Sequence, residues 1–159
     1  RGTVFIDGNV TIDGDTFPDD IIYYKGNGTL VVNGDLTLLN RFLPDGKILD
    51  KDNVLGVVTD HDLIVDFGGS NSQPSRADAD FSGAFFVGGT AKFNHNNLSF
   101  VGSIVAGLLD FTSSSNCHLF THPQLPTFLP PNLPGADERM VSISNWHEVR
   151  PPSVVTGTY

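Results

Sequence analysis

Two matching stretches of the chain decide the fold: residues Gly2–Ile12 read GTVFIDGNVTI, and residues Gly28–Leu38 read GTLVVNGDLTL. They are identical or chemically similar at all eleven positions, at an offset of 26 residues. A third copy, GAFFVGGTAKF, occupies Gly83–Phe93, and looser copies lie at Val57–Val65 and Gly102–Phe111. A repeat of this length indicates one structural unit that stacks on itself.

Each unit contains a short apolar run, a corner of Gly, Asn or Asp, and a second run such as Val10–Ile12 that alternates apolar and polar residues. This alternation has the period of a β-strand. A further short segment precedes each unit, for example Ile21–Tyr24 or Leu98–Phe100. Three short strands per unit predict an all-β fold, a parallel β-solenoid, in which equivalent positions stack about every 4.8 Å.

The repeats start near residues 2, 28, 55, 83 and 102, which predicts about five coils. Extra residues at 13–20, 40–52 and 67–78 are expected to form loops on one edge, where binding surfaces usually lie. An antiparallel sandwich is the alternative, because hairpins also use Asp-Gly and Asn-Gly turns. A sandwich, however, does not need similar residues at a fixed offset.

The pattern changes after Phe111. Five of the ten prolines fall between Pro123 and Pro134, so this segment is predicted to be extended. Met140–Val149 alternates apolar and polar residues and is predicted to be a final strand. We therefore expect a single domain in which residues 1–119 form the coils and residues 120–159 form a Pro-rich extended segment and a C-terminal strand that pack on them.

The repeat also predicts which side chains point inward. Val32 and Leu36 are expected to lie in the core, so a charge at either position would unfold the stack. Phe86 aligns with Val31, which is also expected to point inward, although a register shift of one residue would turn Phe86 outward.

The charge of the chain disfavours nucleic acid as a partner. There are 18 acidic and nine basic residues, for a net charge of −9, and no two basic residues are adjacent. Strong binding to DNA needs clustered Lys and Arg, so only a local patch around Lys25, Lys47, Lys51 or Arg76 would suit it. The single cysteine excludes an internal disulfide, and no run of 18 apolar residues is present to span a membrane.

Two groups of residues invite a metal. Calcium takes six to eight oxygen ligands, and the best cluster for it is Asp13, Asp15, Asp19 and Asp20. The alternative is that these Asp residues form turns and aid solubility, and we expect no other cofactor. Cys117, His118 and His122 offer three zinc ligands, but a structural zinc site usually has four, so a free buried thiol beside two loop histidines is the favoured interpretation.

Catalysis is not expected. Some β-solenoids cleave acidic polysaccharides, which requires a carboxylate or metal cluster with a basic residue poised as a base. Lys92 is the candidate base, but its neighbours in adjacent coils are expected to be positions like Thr37 and not carboxylates.

A binding surface is the remaining kind of site. Tyr23 and Tyr24 are adjacent on a predicted strand and must point in opposite directions, so one of them is expected to be exposed. An exposed Tyr or Trp suits stacking on a sugar or contact with a protein. The candidate binding residues are Tyr23, Tyr24, Lys47, Lys51, Arg76 and Trp146.

These coils, followed by LPPNLPG at residues 129–135 and SNWHEV at residues 144–149, resemble the C-terminal ectodomain of PilX-type pilus assembly proteins, a group that includes ComZ-like minor pilins. The family's ending often reads LPPGLPG and then SWREV, so Asn132 replaces a Gly and His147 an Arg. The resemblance implies an extracellular solenoid on a bacterial type IV pilus-like filament, with other pilus subunits or a surface ligand as partners. A receptor for DNA or glycans is the alternative, and a small polysaccharide-active enzyme a further one.

Overall fold

The computed structural model describes residues 2–14, 21–47, 49–67, 79–130 and 132–134, and this part of the chain is all-β. It contains the short 3₁₀ turns Asp45–Lys47 and Leu125–Thr127, and no helix in it is long and apolar enough to cross a membrane. The predicted strand Met140–Val149 lies outside the described residues. The strands are β1 (Gly2–Asp7), β2 (Val10–Ile12), β3 (Ile21–Tyr24), β4 (Asn27–Asn33), β5 (Leu36–Leu38), β6 (Arg41–Pro44), β7 (Val54–Thr59), β8 (Leu63–Val65), β9 (Phe81–Phe93), β10 (Ser99–Asp110) and β11 (His118–Thr121).

One face of the fold is a long parallel sheet, in which β1, β4, β7, β9 and β10 lie side by side in that order. Gly2 pairs with Gly28, and Gly28 pairs with Leu55, so the first three repeat starts meet in register. Gly83 pairs with Gly102 in the same way. Parallel pairing between repeats is therefore confirmed, and the antiparallel sandwich is excluded for these strands.

Two further groups of parallel strands form the other faces of the fold. β2, β5 and β8 stack in parallel on the C-terminal half of β9, where Leu63–Val65 pairs with Ala91–Phe93. β3 pairs with β6, Phe42 of β6 pairs with Phe81, and β10 pairs with β11. At each face, a strand pairs in parallel with the equivalent strand of an earlier repeat. The architecture is therefore solenoid-like, as predicted.

The core lies between these faces and is built from alternate strand positions. Val32 is 1% exposed and Leu36 is fully buried, which confirms the inward direction predicted for both. Phe81 packs against Phe85 and Phe100, with ring centroids 5.5 and 4.6 Å away. Full burial of a large apolar side chain contributes roughly 1.5–3 kcal/mol, so this aromatic cluster holds the faces together.

Glycine allows adjacent passages of the chain to approach backbone to backbone. Gly102 has a φ of 146°, and a Cβ atom there would lie 2.9 Å from the carbonyl carbon of Gly83. A side chain at this position would both strain the backbone and separate β10 from β9. The recurring glycine at the start of the repeat is thus explained by close stacking.

The residues after β11 form a segment that we call the strap, residues 122–130 and 132–134. Leu125 is buried in a cluster with Val54 and Ala84 of the long sheet. Farther along, the Asn132 side-chain amide donates a hydrogen bond of 2.8 Å to the Thr3 hydroxyl. The strap therefore runs across the long sheet from its last strands to β1.

Candidate binding surface

A row of apolar side chains crosses the outer side of the long sheet. The register pairs Phe5 with Val31, Val31 with Val58, Val58 with Phe86, and Phe86 with Val105. We call these five residues the apolar stripe. Since neighbouring strands lie about 4.8 Å apart, the stripe is about 19 Å long.

The apolar stripe faces solvent. Phe5 and Val105, at its two ends, are 64% and 54% exposed, and the three residues between them are half-buried. None of the five belongs to a core cluster of the described residues. A contiguous exposed apolar patch of this kind marks an interaction site in many proteins.

The direction of the stripe corrects one prediction. Phe86 does align with Val31, but both residues point outward, so the inward assignment of Val31 is wrong. Val32 occupies the core, and adjacent residues of a strand must point to opposite faces. Phe85, next to Phe86, is accordingly buried.

The strap borders one side of the stripe. Thr3, Thr29, Gly56 and Ala84 form the neighbouring outward row of the sheet, two residues before the stripe. A Cβ atom on Gly56 would lie 3.1 Å from Pro130, a tight contact, so glycine lets the strap lie close to this row. The strap thus forms an apolar wall along the stripe.

Carboxylates border the other side. Asp7 and Asp60 lie two residues after Phe5 and Val58, on the same face of the sheet, and both are exposed. Asp35 and Asp62 follow just beyond the turn. We call Asp7, Asp35, Asp60 and Asp62 the acidic corner.

A ladder of side-chain acceptors orders this corner. The Asn9 side-chain oxygen accepts a hydrogen bond of 2.9 Å from the backbone N–H of Asp35. Asp35 accepts one of 3.1 Å from the N–H of Asp62, and Asp62 accepts one of 2.8 Å from the N–H of Thr90. Each of these side chains therefore satisfies a backbone donor in the next passage of the chain, which explains the Asn and the Asp that follow the corner glycines Gly8 and Gly34.

Two basic side chains, His61 and Lys92, contact carboxylates of the corner. The His61 ring contacts Asp60 at 2.8 Å, and this hydrogen bond raises the pKa of His61 and lowers the pKa of Asp60. Lys92 contacts Asp62 at 2.5 Å, and the hydrogen bond lowers the pKa of Asp62 and raises the pKa of Lys92. The carboxylates of both pairs therefore stay ionised at neutral pH.

The surroundings of Lys92 differ from the prediction. On one side, Lys92 of β9 pairs in register with Ile64 of β8, which in turn pairs with Thr37 of β5. On the other side, Lys92 pairs with Asp110 of β10. Together with Asp62, carboxylates therefore do lie next to this lysine. These carboxylates raise the pKa of Lys92, which forms an ion pair with Asp62.

Four of the predicted binding residues, Tyr23, Tyr24, Lys47 and Lys51, lie off the stripe. Tyr23 is 46% exposed on β3, whereas Tyr24 packs on Phe42 and burial raises the pKa of Tyr24 to about 12. Lys51 is exposed and forms an ion pair of 3.1 Å with Asp52. Lys47 ends a 3₁₀ turn, and Arg76 and Trp146 lie outside the described residues.

The described residues leave the predicted calcium cluster untested and show the surroundings of Cys117, His118 and His122. Asp13 is exposed, and Asp15, Asp19 and Asp20 lie outside it. His118 stacks on Phe120 and His122 contacts Phe128, while burial raises the pKa of the Cys117 thiol to about 11. Among the described residues, no three His, Cys, Asp or Glu side chains are grouped as metal ligands.

Sequence reasoning missed the apolar stripe, although the repeat contains a signal for it. The aligned repeats place Phe5, Val31 and Phe86 at one equivalent position, two residues before the corner. The run around each is apolar throughout, so alternation alone does not separate inward from outward residues.

Comparisons of the chain with family models, curated proteins and solved structures find no significant match.

Proposed function

We propose that this chain is the non-enzymatic β-solenoid head, of about five coils, of a type IV pilus-like subunit at the bacterial cell surface. Its role is to display a binding surface for adhesion or filament assembly, with other pilus subunits or a surface ligand as partners. The observation that supports this proposal best is the apolar stripe on the outer side of the long sheet.

The stack suits a display role because it holds the stripe rigid. Each strand of the stripe pairs with its neighbours through the backbone, and the inward residues beneath its central strands, Val32, Val57 and Phe85, are buried. A backbone that is already ordered loses little conformational freedom on binding, which favours affinity.

The charged residues support a binding role over catalysis. Lys92 and His61 are each paired with a carboxylate, which raises the pKa of both side chains and so favours their charged forms. A general base must be neutral near the working pH, which these pairs oppose. For DNA, the net charge of −9 and the acidic corner are unfavourable.

Photo-crosslinking in the producing bacterium tests the proposal. A benzoylphenylalanine at position 86 is expected to crosslink the protein to subunits of sheared surface filaments or to a surface ligand. The matched control places the same group at Lys51, which is exposed and lies off the stripe. Equal crosslinking from both positions, or a protein missing from the surface fraction, would refute the display function.

A further inference from the structure

The stripe and the acidic corner together define the chemistry of an occupant. We propose that they bind a basic amphipathic helix of a partner protein, with apolar side chains on the stripe and Lys or Arg side chains on the corner. This inference rests on the proposed display function and names the partner for that surface.

The charge of the surface selects a basic partner. Asp7 accepts a hydrogen bond from the neutral Asn33 amide, and Asp35 accepts one from a backbone N–H. Among the described residues, neither carboxylate forms a direct ion pair, although Lys92 and His61 lie near enough to Asp35 to interact with its charge. Complementary charge steers a basic partner to this edge of the stripe and rejects an acidic one.

The geometry favours a helix over an extended strand. The stripe is one row of side chains that runs across the strands. Asp7 and Asp60 of the acidic corner lie beside it, displaced by two residues, or roughly 7 Å, and Asp35 and Asp62 lie beyond the turn. A helix presents an apolar row and a flanking basic row side by side, whereas the side chains on one face of a strand form a single line. About 13 helical residues span 19 Å at a rise of 1.5 Å per residue.

A second copy of this chain fits the surface less well. Each copy carries a net charge of −9, so two acidic molecules would meet with like charges near the contact. The strap's wall also confines the occupant to the width between Pro130 and the corner, which suits a single helix.

Synthetic peptides test this partner chemistry directly. The probe is a labelled 14-residue Leu/Lys peptide with one apolar face. The controls are a scrambled peptide of the same composition and a Leu/Glu peptide with the same apolar face. We expect fluorescence anisotropy to give a Kd for the amphipathic Leu/Lys peptide at least tenfold below that for either control.

Variants locate the binding. Phe86→Ser is expected to raise the Kd at least tenfold. The double variant Asp7→Asn and Asp60→Asn is expected to make the Kd depend less on salt concentration. Leu119→Ser, at an exposed position on β11 that lies off the stripe, serves as the matched control and should leave the Kd unchanged. Circular dichroism and melting curves check that each variant is folded.

Several results would overturn the inference. The first is equal affinity for the scrambled peptide, and the second is an unchanged Kd in Phe86→Ser. The third is self-association of the protein that Phe86→Ser abolishes, and the fourth is a tenfold gain in affinity for the peptide when the chain ends at Pro134. The last two would assign the stripe to a second copy or to residues 135–159. Crosslinking from position 86 to surface filaments without peptide selectivity would leave the display function standing and remove only the basic helix.

Discussion

Single residues on the long sheet differ in their energetic role according to the face they occupy. Val31 and Val32 are neighbours on β4, but Val31 is half-buried on the outer side and Val32 is 1% exposed in the core. Val32→Asp is expected to lower the free energy of unfolding by at least about 3 kcal/mol, because it buries an unpaired charge. Val31→Asp should change it by less than about 1 kcal/mol. Urea denaturation measures both, and equal midpoints would contradict the assigned faces.

The His61–Asp60 pair gives a pH-dependent prediction at the same scale. The hydrogen bond to Asp60 raises the folded pKa of His61, so protonated His61 stabilises the fold below its unfolded pKa as long as Asp60 is ionised, and this contribution is lost as pH rises through the folded pKa. An NMR titration of the His61 ring should give a pKa above its ordinary value of about 6.5. Asp60→Asn should lower the pKa, whereas Asp52→Asn, at the Lys51 pair, should not. A His61 pKa unchanged by Asp60→Asn would show that the pair does not form.

The direction of individual residues could be predicted from the sequence only where polar and apolar residues alternate. Leu36–Leu38 has a Thr between two leucines, and the inward assignment of Leu36 is confirmed. Leu30, Val31 and Val32 are all apolar, so their pattern does not distinguish the two faces, and Val31 was misassigned. The carboxylate opposite Lys92 was missed because the register of β9 and β10 shifts by a β-bulge between Ala106 and Leu108.

At the scale of the structural element, the ladder at the acidic corner depends on an acceptor oxygen and not on charge. Asn9 and Asp35 perform the same role with an amide and a carboxylate. Asp35→Asn is therefore expected to preserve stability, whereas Asp35→Ala leaves the Asp62 N–H without its acceptor and should cost about 1 kcal/mol. Thermal melts of the two variants compare them at one position. A loss of similar size in both would assign the effect to charge.

The strap is the second element whose contribution is measurable. Leu125 is buried against the long sheet, whereas Leu119 on β11 is exposed. Leu125→Ala is expected to lower the free energy of unfolding by about 2–5 kcal/mol through the lost contacts and the cavity. Leu119→Ala, the same substitution at an exposed position, should cost less than about 1 kcal/mol. Chemical denaturation that gives equal losses would show that the strap does not stabilise the sheet.

The path of the strap illustrates what the sequence leaves open at this scale. Its prolines predict an extended segment, because proline is excluded from helix interiors and central strands. They do not predict where the segment lies. The hydrogen bond between Asn132 and Thr3 joins residues 129 positions apart, and no repeat relates the two. The parallel pairing of the coils was predictable because the same residues recur at matching positions.

For the whole molecule, a stack in which each strand contacts only its neighbours should lose structure from its ends. β7 pairs with β4 and β9, whereas the pairing of β1 among the described strands is with β4 alone. Hydrogen–deuterium exchange is therefore expected to be faster in β1 than in β7, although both belong to one sheet. Uniform protection of the two strands would show that the molecule opens as a single unit.

The hydrogen bond from the strap to β1 allows a test of whether the strap stabilises this end strand of the long sheet. Asn132→Ala removes the hydrogen bond to Thr3 and leaves the pairing of β1 with β4 intact. Exchange in β1 should then accelerate further, while exchange in β7 stays the same, because local opening at one end does not need the central strands to separate. Acceleration in both strands would instead mean that the strap couples the ends of the stack, so that the first passage of the chain opens only with the whole sheet.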